Sequence, residues 1–361
     1  MGDRGSFRSP PIALPTYGDR PISILSRIFG KGPGSAQTRG LFLGAFGKHP
    51  GWDDHIDDLG LETDRLVDLK SLLYVEGIGS RIDSGVWDKL ESSQQVDGFS
   101  HTFLLRARGD WTFGRLWTSS DGKGRTRYPM VLACQVVGAP LEWVMREVAP
   151  QVEALQKSCE ATPQAQAVVS AVNATRADLR QKFTGVAAGL PDLTVNPSLA
   201  LDLADQPDMG PARLGMHRVL YQIEREMSPY LVTSAAGKAH EAEPRPQQLR
   251  VPRGSGTGED ALLRWMRFLL LKIDPNVPIL MFVPTADSWL DVIVGEPSGS
   301  QLFCLRATPK SIPLTTDIPY SLDPGFVAAA QAWLETTRTL PAIEIRATPR
   351  PRRAKEGGRF T

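Results

Sequence analysis

The feature that most constrains this chain is a pair of short strand-like runs, His101–Ala107 and Trp111–Thr118, separated only by Arg108-Gly109-Asp110. Runs joined by so short a turn must fold back as an antiparallel hairpin, because a parallel pair needs a crossover of a dozen or more residues. In the second run Trp111, Phe113, Arg115 and Trp117 alternate onto one face. A third run, Tyr128–Val137, follows the glycine-rich loop Ser119–Arg125, and Pro129 near its start sits where a strand tolerates proline. A second group of strands is expected at Pro278–Val283, Trp289–Val294 and Gln301–Arg306. Strands clustered in hairpin-like succession, with helical stretches before and after, predict an α/β (α+β) fold of antiparallel sheets flanked by helices.

The helical stretches follow from apolar spacing. Leu66, Leu69, Leu72 and Leu73 share one face over 63–76, with Gly77 as C-cap, and a short helix is expected over Ser84–Leu90. Pro140 opens a helix to about Cys159, and Thr162-Pro163 caps the next, which carries Val168, Val172, Leu179 and Phe183. Pro211 opens another, with Met216, Leu220, Ile223 and Met227 on one face. Asp260–Lys272 is expected to be helical, and Asp323-Pro324 caps a last helix through Leu334.

A length of 361 residues suits two core-forming units. Residues 1–39, rich in Pro, Gly, Ser and Arg, read as a disordered arm. Order begins with the strand Leu41–Phe46, and 40–160 reads as an α/β domain. A helical region (161–232), a linker or exposed loop (233–258), a C-terminal α/β region (259–340) and a basic disordered tail (341–361) complete the reading.

Net charge is +1, so no global field draws the chain to nucleic acid or an anionic membrane. The tail lacks the interleaved aromatics of single-strand binders, and no nucleic-acid partner is expected. No apolar secretory core is visible near the start, and the most apolar helix is broken by Arg264 and Arg267. Met1-Gly2-x-x-x-Ser6 fits the myristoylation pattern in form only. A cytoplasmic location without membrane insertion is the expectation. Cys134, Cys159 and Cys304 form no CxxC and are expected reduced, with Cys134 and Cys304 buried in strands.

The densest chemical cluster is Gly47-Lys48-His49-Pro50-Gly51-Trp52-Asp53-Asp54-His55-Ile56-Asp57-Asp58. Its acids and histidines are metal-ligand types, but the spacing fits neither an EF-hand nor HExxH. A metal-dependent hydrolase using Asp53–Asp58 is therefore the alternative reading, and no metal or cofactor is expected. Gly47-Lys48 after an apolar strand invites comparison with a phosphate loop, but Phe42 and His49 stand where glycine and Ser/Thr are required. No Gly-x-Ser-x-Gly elbow is present, and His101 and His217 read as structural. Trp52, set among aspartates, is a candidate contact residue.

The segment Gly44-Ala45-Phe46-Gly47-Lys48-His49-Pro50-Gly51-Trp52-Asp53-Asp54-His55 resembles the opening of TagF-type proteins of bacterial type VI secretion, a strand ending in G-x-x-G-K-x-P-x-x-G-D-F. Gly44, Gly47, Lys48, Pro50 and Asp54 match; Asp53 replaces glycine and His55 replaces phenylalanine. Arg127-Tyr128-Pro129-Met130-Val131-Leu132-Ala133 is similar to the family's G-R-Y/F-P-L strand, with Thr126 in place of glycine. The resemblance covers roughly 41–145 and does not extend to 160–361. It implies an α/β fold with an antiparallel sheet and a non-enzymatic regulator that represses assembly by engaging a forkhead-associated scaffold protein. Physically, Gly44 and Gly47 permit a sharp strand exit, Pro50 stiffens the loop, and Asp54 accepts backbone N–H bonds or pairs with Lys48 or Arg127 across the sheet end. Binding residues are expected among Lys48, Trp52, Asp53, Asp54, Arg127 and Tyr128, with Gly44, Gly47, Pro50 and Pro129 structural.

Overall fold

The computed structural model describes residues 38–232 and 244–346. Residues 1–37 of the expected arm, 233–243 of the expected linker and 347–361 of the expected basic tail lie outside these residues, while 343–345, expected as part of the disordered tail, form a paired strand. Strand β1 (Gly40–Gly47) is followed by helix α1 (Asp64–Lys70), which widens into a π-helix over Ser71–Gly79 and ends in a further turn, Ser80–Asp83. The hairpin strands are β2 (Ser100–Ala107) and β3 (Asp110–Thr118), and β4 (Pro129–Val137) follows. Helices α2 (Ala149–Glu160) and α3 (Ala165–Thr184), strand β5 (Leu193–Val195), helix α4 (Gly215–Glu226) and strand β6 (Gln247–Pro252) come next. Helix α5 (Gly258–Leu269), strands β7 (Ile279–Pro284) and β8 (Trp289–Val294), helix α6 (Pro324–Arg338) and strand β9 (Ile343–Ile345) complete the order.

Seven strands form one antiparallel sheet in the order β1-β4-β3-β2-β7-β8-β6, and β5 pairs with β9 separately. The fold is thus mixed α/β on an antiparallel sheet. Strands before residue 140 and after residue 246 share that sheet, because β2 pairs with β7, His101 facing Pro284. The hairpin turn needs left-handed backbone at both central residues, and Arg108 and Gly109 have φ of 53° and 80°.

The pleat divides the core. Leu104, Trp111, Phe113, Trp117, Leu132 and Met281 face the layer that includes α2 to α5. Phe46, Phe103, Leu105, Leu116, Val131 and Phe282 face the π-helix and the segment around residue 302. Each large apolar side chain so buried contributes about 1.5–3 kcal/mol, so the Trp111–Trp117 stripe belongs to the core.

Several expectations are corrected. Gly77 does not cap a helix: it lies buried inside the π-helix, where a Cβ would come within 2.2 Å of Leu302 Cδ1. Residues 84–90 form turns, and the helix expected to start after Thr162 starts at Ala165 with Gln164 as N-cap. The helix expected from Pro211 begins at Gly215. The stretch 233–258, expected as a linker, contains β6, whose Leu249 and Val251 point into the core. Gln301–Arg306 is a 3-10 helix, not a strand, and Cys304 lies in it. Its buried Leu302 and Leu305 are three apart, the 3-10 period.

Arg250 holds that segment to the sheet. Its Nε and Nη2 donate to the Asp291 carboxylate across β6 and β8 at 2.9 and 2.8 Å. Nη1 donates to Ala307 O at 2.7 Å and Nη2 to Cys304 O at 3.2 Å. Other carbonyls of the segment are taken elsewhere: Phe303 O accepts Trp87 Nε1 at 3.1 Å and Arg306 O accepts the Val96 N–H at 2.9 Å.

Candidate functional site

The two motif stretches meet at one end of β1 and β4. Gly47 pairs with Met130, and Lys48 N–H donates to Pro129 O at 3.1 Å. Gly47 has φ of 105°, and a Cβ there would lie 2.3 Å from Pro129 O, so only glycine fits. Pro129 opens β4, as expected. Gly44 has a different role from the expected strand exit: a Cβ there would meet Leu61 Cδ2 at 2.7 Å, so it lets residues 59–61 close over β1.

The loop after Gly47 closes on itself, with Ile56 N–H donating to Gly47 O at 2.8 Å and Lys48 bridging to His55. Buried His49 accepts the Gly51 N–H at Nδ1, 3.0 Å, so its Nε2 carries the proton and donates to Cys159 O at 3.0 Å. That bond pins the loop to the end of α2. Trp52 is half-buried and packs edge-on to His49 at 5.5 Å between ring centroids. Pro50 and Asp53 are exposed.

Lys48 is only 3% exposed, and its Nζ donates to Asp121 Oδ2 at 2.6 Å. Oδ1 of the same carboxylate accepts the N–H groups of Lys123 and Arg125, both at 3.0 Å. Arg125 adds Nε to Oδ2 at 2.7 Å and reaches Asp54 Oδ1 with Nη2 at 2.9 Å. Asp54 therefore pairs with Arg125, and not with Lys48 or Arg127 as expected; Arg127 pairs with Asp88 at 3.1 Å, both exposed. Lys48, expected among the binding residues, has its ammonium buried and acts as a strut.

Beside this strut three rings cluster, His55 edge-on to both tyrosines. His55 lies 5.4 Å from Tyr74 and 5.7 Å from Tyr128, and the two tyrosines are 5.3 Å apart. His55 Nδ1 is 3.0 Å from Asp54 Oδ1. Burial pushes both tyrosine hydroxyls up, Tyr74 strongly, so they stay protonated donors. The surface thus displays Asp54, His55, Arg125 and part of Tyr128, all held from below. Tyr74, Asp121 and Arg125 were not expected there. Asp121-Gly122-Lys123 carries an Asx-turn signal that sequence alone can show; its counter-ion, 73 residues away, it cannot.

Burial works against ionisation of Asp121, but hydrogen bonds from Lys48 and Arg125 outweigh it and hold the carboxyl well below its usual range. A depressed folded value gives stability that is complete above the unfolded value near ~3.9 and is lost as pH falls through the folded one. In an NMR titration the Lys123 and Arg125 amides should therefore hold their positions through about pH 4 and shift only in stronger acid. Movement centred near 3.9 would show an ordinary exposed carboxylate instead.

Other candidates behave structurally. Burial, aided by the Arg250 charge, pushes His101 down to about 3. Burial lowers His217, and it raises the thiols, Cys159 to about 12. Among the described residues the three cysteines are buried and free, and no group of three or more His, Cys, Asp or Glu is placed to hold a metal. No helix among them is long and apolar enough to cross a membrane. No protein-family model matches the sequence, and no curated protein matches it.

Proposed function

We propose that this chain is a TagF-type accessory regulator of bacterial type VI secretion, acting in the cytoplasm by binding a protein of the apparatus. On this reading the partner is its forkhead-associated scaffold, and binding represses assembly. One observation carries the proposal. The two stretches that bear the resemblance, 44–55 and 127–133, pair at Gly47 and Met130 and, together with Asp121 and Arg125 of the loop before the second stretch, build a single displayed surface on a buried Lys48–Asp121 strut. A rigid aromatic and arginine surface supported from below is the composition of binding hot spots.

Arg125→Ala with Tyr128→Ala removes the displayed charge and ring; it gives up the Arg125 side-chain bond to Asp121, but Lys48 Nζ and the backbone N–H groups of residues 123 and 125 still hold that carboxylate. Loss of a hot-spot pair of this kind costs about 2 kcal/mol or more, roughly thirtyfold in affinity. Capture of secretion-apparatus proteins from a host carrying the cluster should fall accordingly, and secretion should rise. Recovery of the same proteins in the same yield, with unchanged secretion, would refute the assignment.

A further inference from the structure

β1 is an edge of the sheet, and an apolar edge strand is a template for pairing with another chain. Alternate residues of an antiparallel strand turn their backbone groups away from the sheet. On β1 the carbonyls of Leu41, Leu43, Ala45 and Gly47 all accept from outside it. Gly47 O takes the Ile56 N–H, and Ala45 exchanges two bonds with Leu59, at 2.9 and 3.2 Å. Arg176 donates Nε and Nη2 to Leu43 O at 3.0 and 2.9 Å, and Arg180 donates Nε to Leu41 O at 3.0 Å. Glu62 lies 3.6 Å from Arg176 and 2.6 Å from Arg180.

The fit is geometric. Four residues of α-helix rise about 6 Å, and two residues of strand advance about 6.8 Å. Arginines one helical turn apart on α3 therefore meet successive outward carbonyls of β1. Gly60, with φ of 67°, leaves the space: a Cβ there would lie 1.9 Å from Arg176 Nη2.

We propose that Arg176 and Arg180, with Glu62 as counter-ion, seal the β1 edge against pairing with β1 of a second copy of this chain. Self-pairing needs only one strand sequence and a two-fold axis. The opposite edge, β6, is already covered. There Gln248 O accepts Gln222 Nε2, and Pro252, which has no N–H, gives its carbonyl to Trp265 Nε1. The Arg180–Glu62 pair is half-exposed and contributes little to folding by itself, so the seal works by occupying acceptors and excluding a strand.

The test is Arg176→Ala with Arg180→Ala in the full chain, with mass measured by light scattering across concentration and fold checked by circular dichroism. Self-association should tighten at least tenfold over the unsubstituted protein, with new amide protection at Leu41 and Leu43. Should the double variant not fold, Arg180→Gln alone, at a half-exposed position, gives the same readout. A folded variant whose mass matches the unsubstituted protein at every concentration would overturn the proposal.

Discussion

Arg250→Ala is expected to lower the free energy of unfolding by about 3–5 kcal/mol, because it leaves the Asp291 carboxylate buried and unpaired. Side-chain exposure of the pair is 0% and 1%, so water cannot substitute. The same change strips donors from Ala307 and Cys304, so the 3-10 segment loosens from the sheet with it. Urea denaturation gives the magnitude, and amide exchange over 301–307 gives the location. Replacing both partners with apolar residues of similar volume, Arg250→Met with Asp291→Leu, should recover much of the loss, since a well-packed apolar pair often equals a buried ion pair. A single substitution that cost under about 1 kcal/mol would show the pair to be solvated and the lock absent.

The second large effect is expected at Gly47→Ala. Left-handed backbone costs an L-residue about 1–2 kcal/mol, and forced overpacking about 1–3 more. The clash is with Pro129 O, a backbone atom that cannot rotate away. Together these come to about 3 kcal/mol. Gly124→Ala is the control: its φ of 77° carries the same strain, but no atom lies within 4 Å of the added methyl. It should cost about 1 kcal/mol. The difference between the two denaturation curves isolates the close approach of the two motif stretches. Equal costs would mean that the β1 and β4 ends do not touch as described. Partner capture should fall with Gly47→Ala, since Lys48 N–H bonds to the same carbonyl.

Both positions show what sequence could and could not supply. The hairpin at residues 108 and 109, the Trp111–Trp117 stripe and the α3 core residues Val168, Val172, Leu179 and Phe183 were legible, because each is a local period or a local turn. β6 was not: six residues with polar flanks, whose alternating Leu249 and Val251 are too short a signal beside proline and glycine. The 3-10 segment is not legible, because Leu302, Cys304 and Leu305 satisfy more than one period and the arginine that binds Cys304 O is 54 residues away. At the candidate site the glycine turn was visible, and the ion pairs were not. Which acid meets Lys48 depends on how two loops approach across the sheet end, and that is set by strand register.

The adjacency of β2 and β7 has a consequence for how the chain is made. At roughly 5–20 residues per second, the ribosome releases β2 about 10–35 s before the strand that completes it. During that interval the nascent β1-β4-β3-β2 ribbon carries an unfilled hydrogen-bonding edge at its centre-to-be, flanked by Phe103 and Leu105. Codon changes that slow translation between residues 110 and 279 would prolong the time for which that edge stays unpaired.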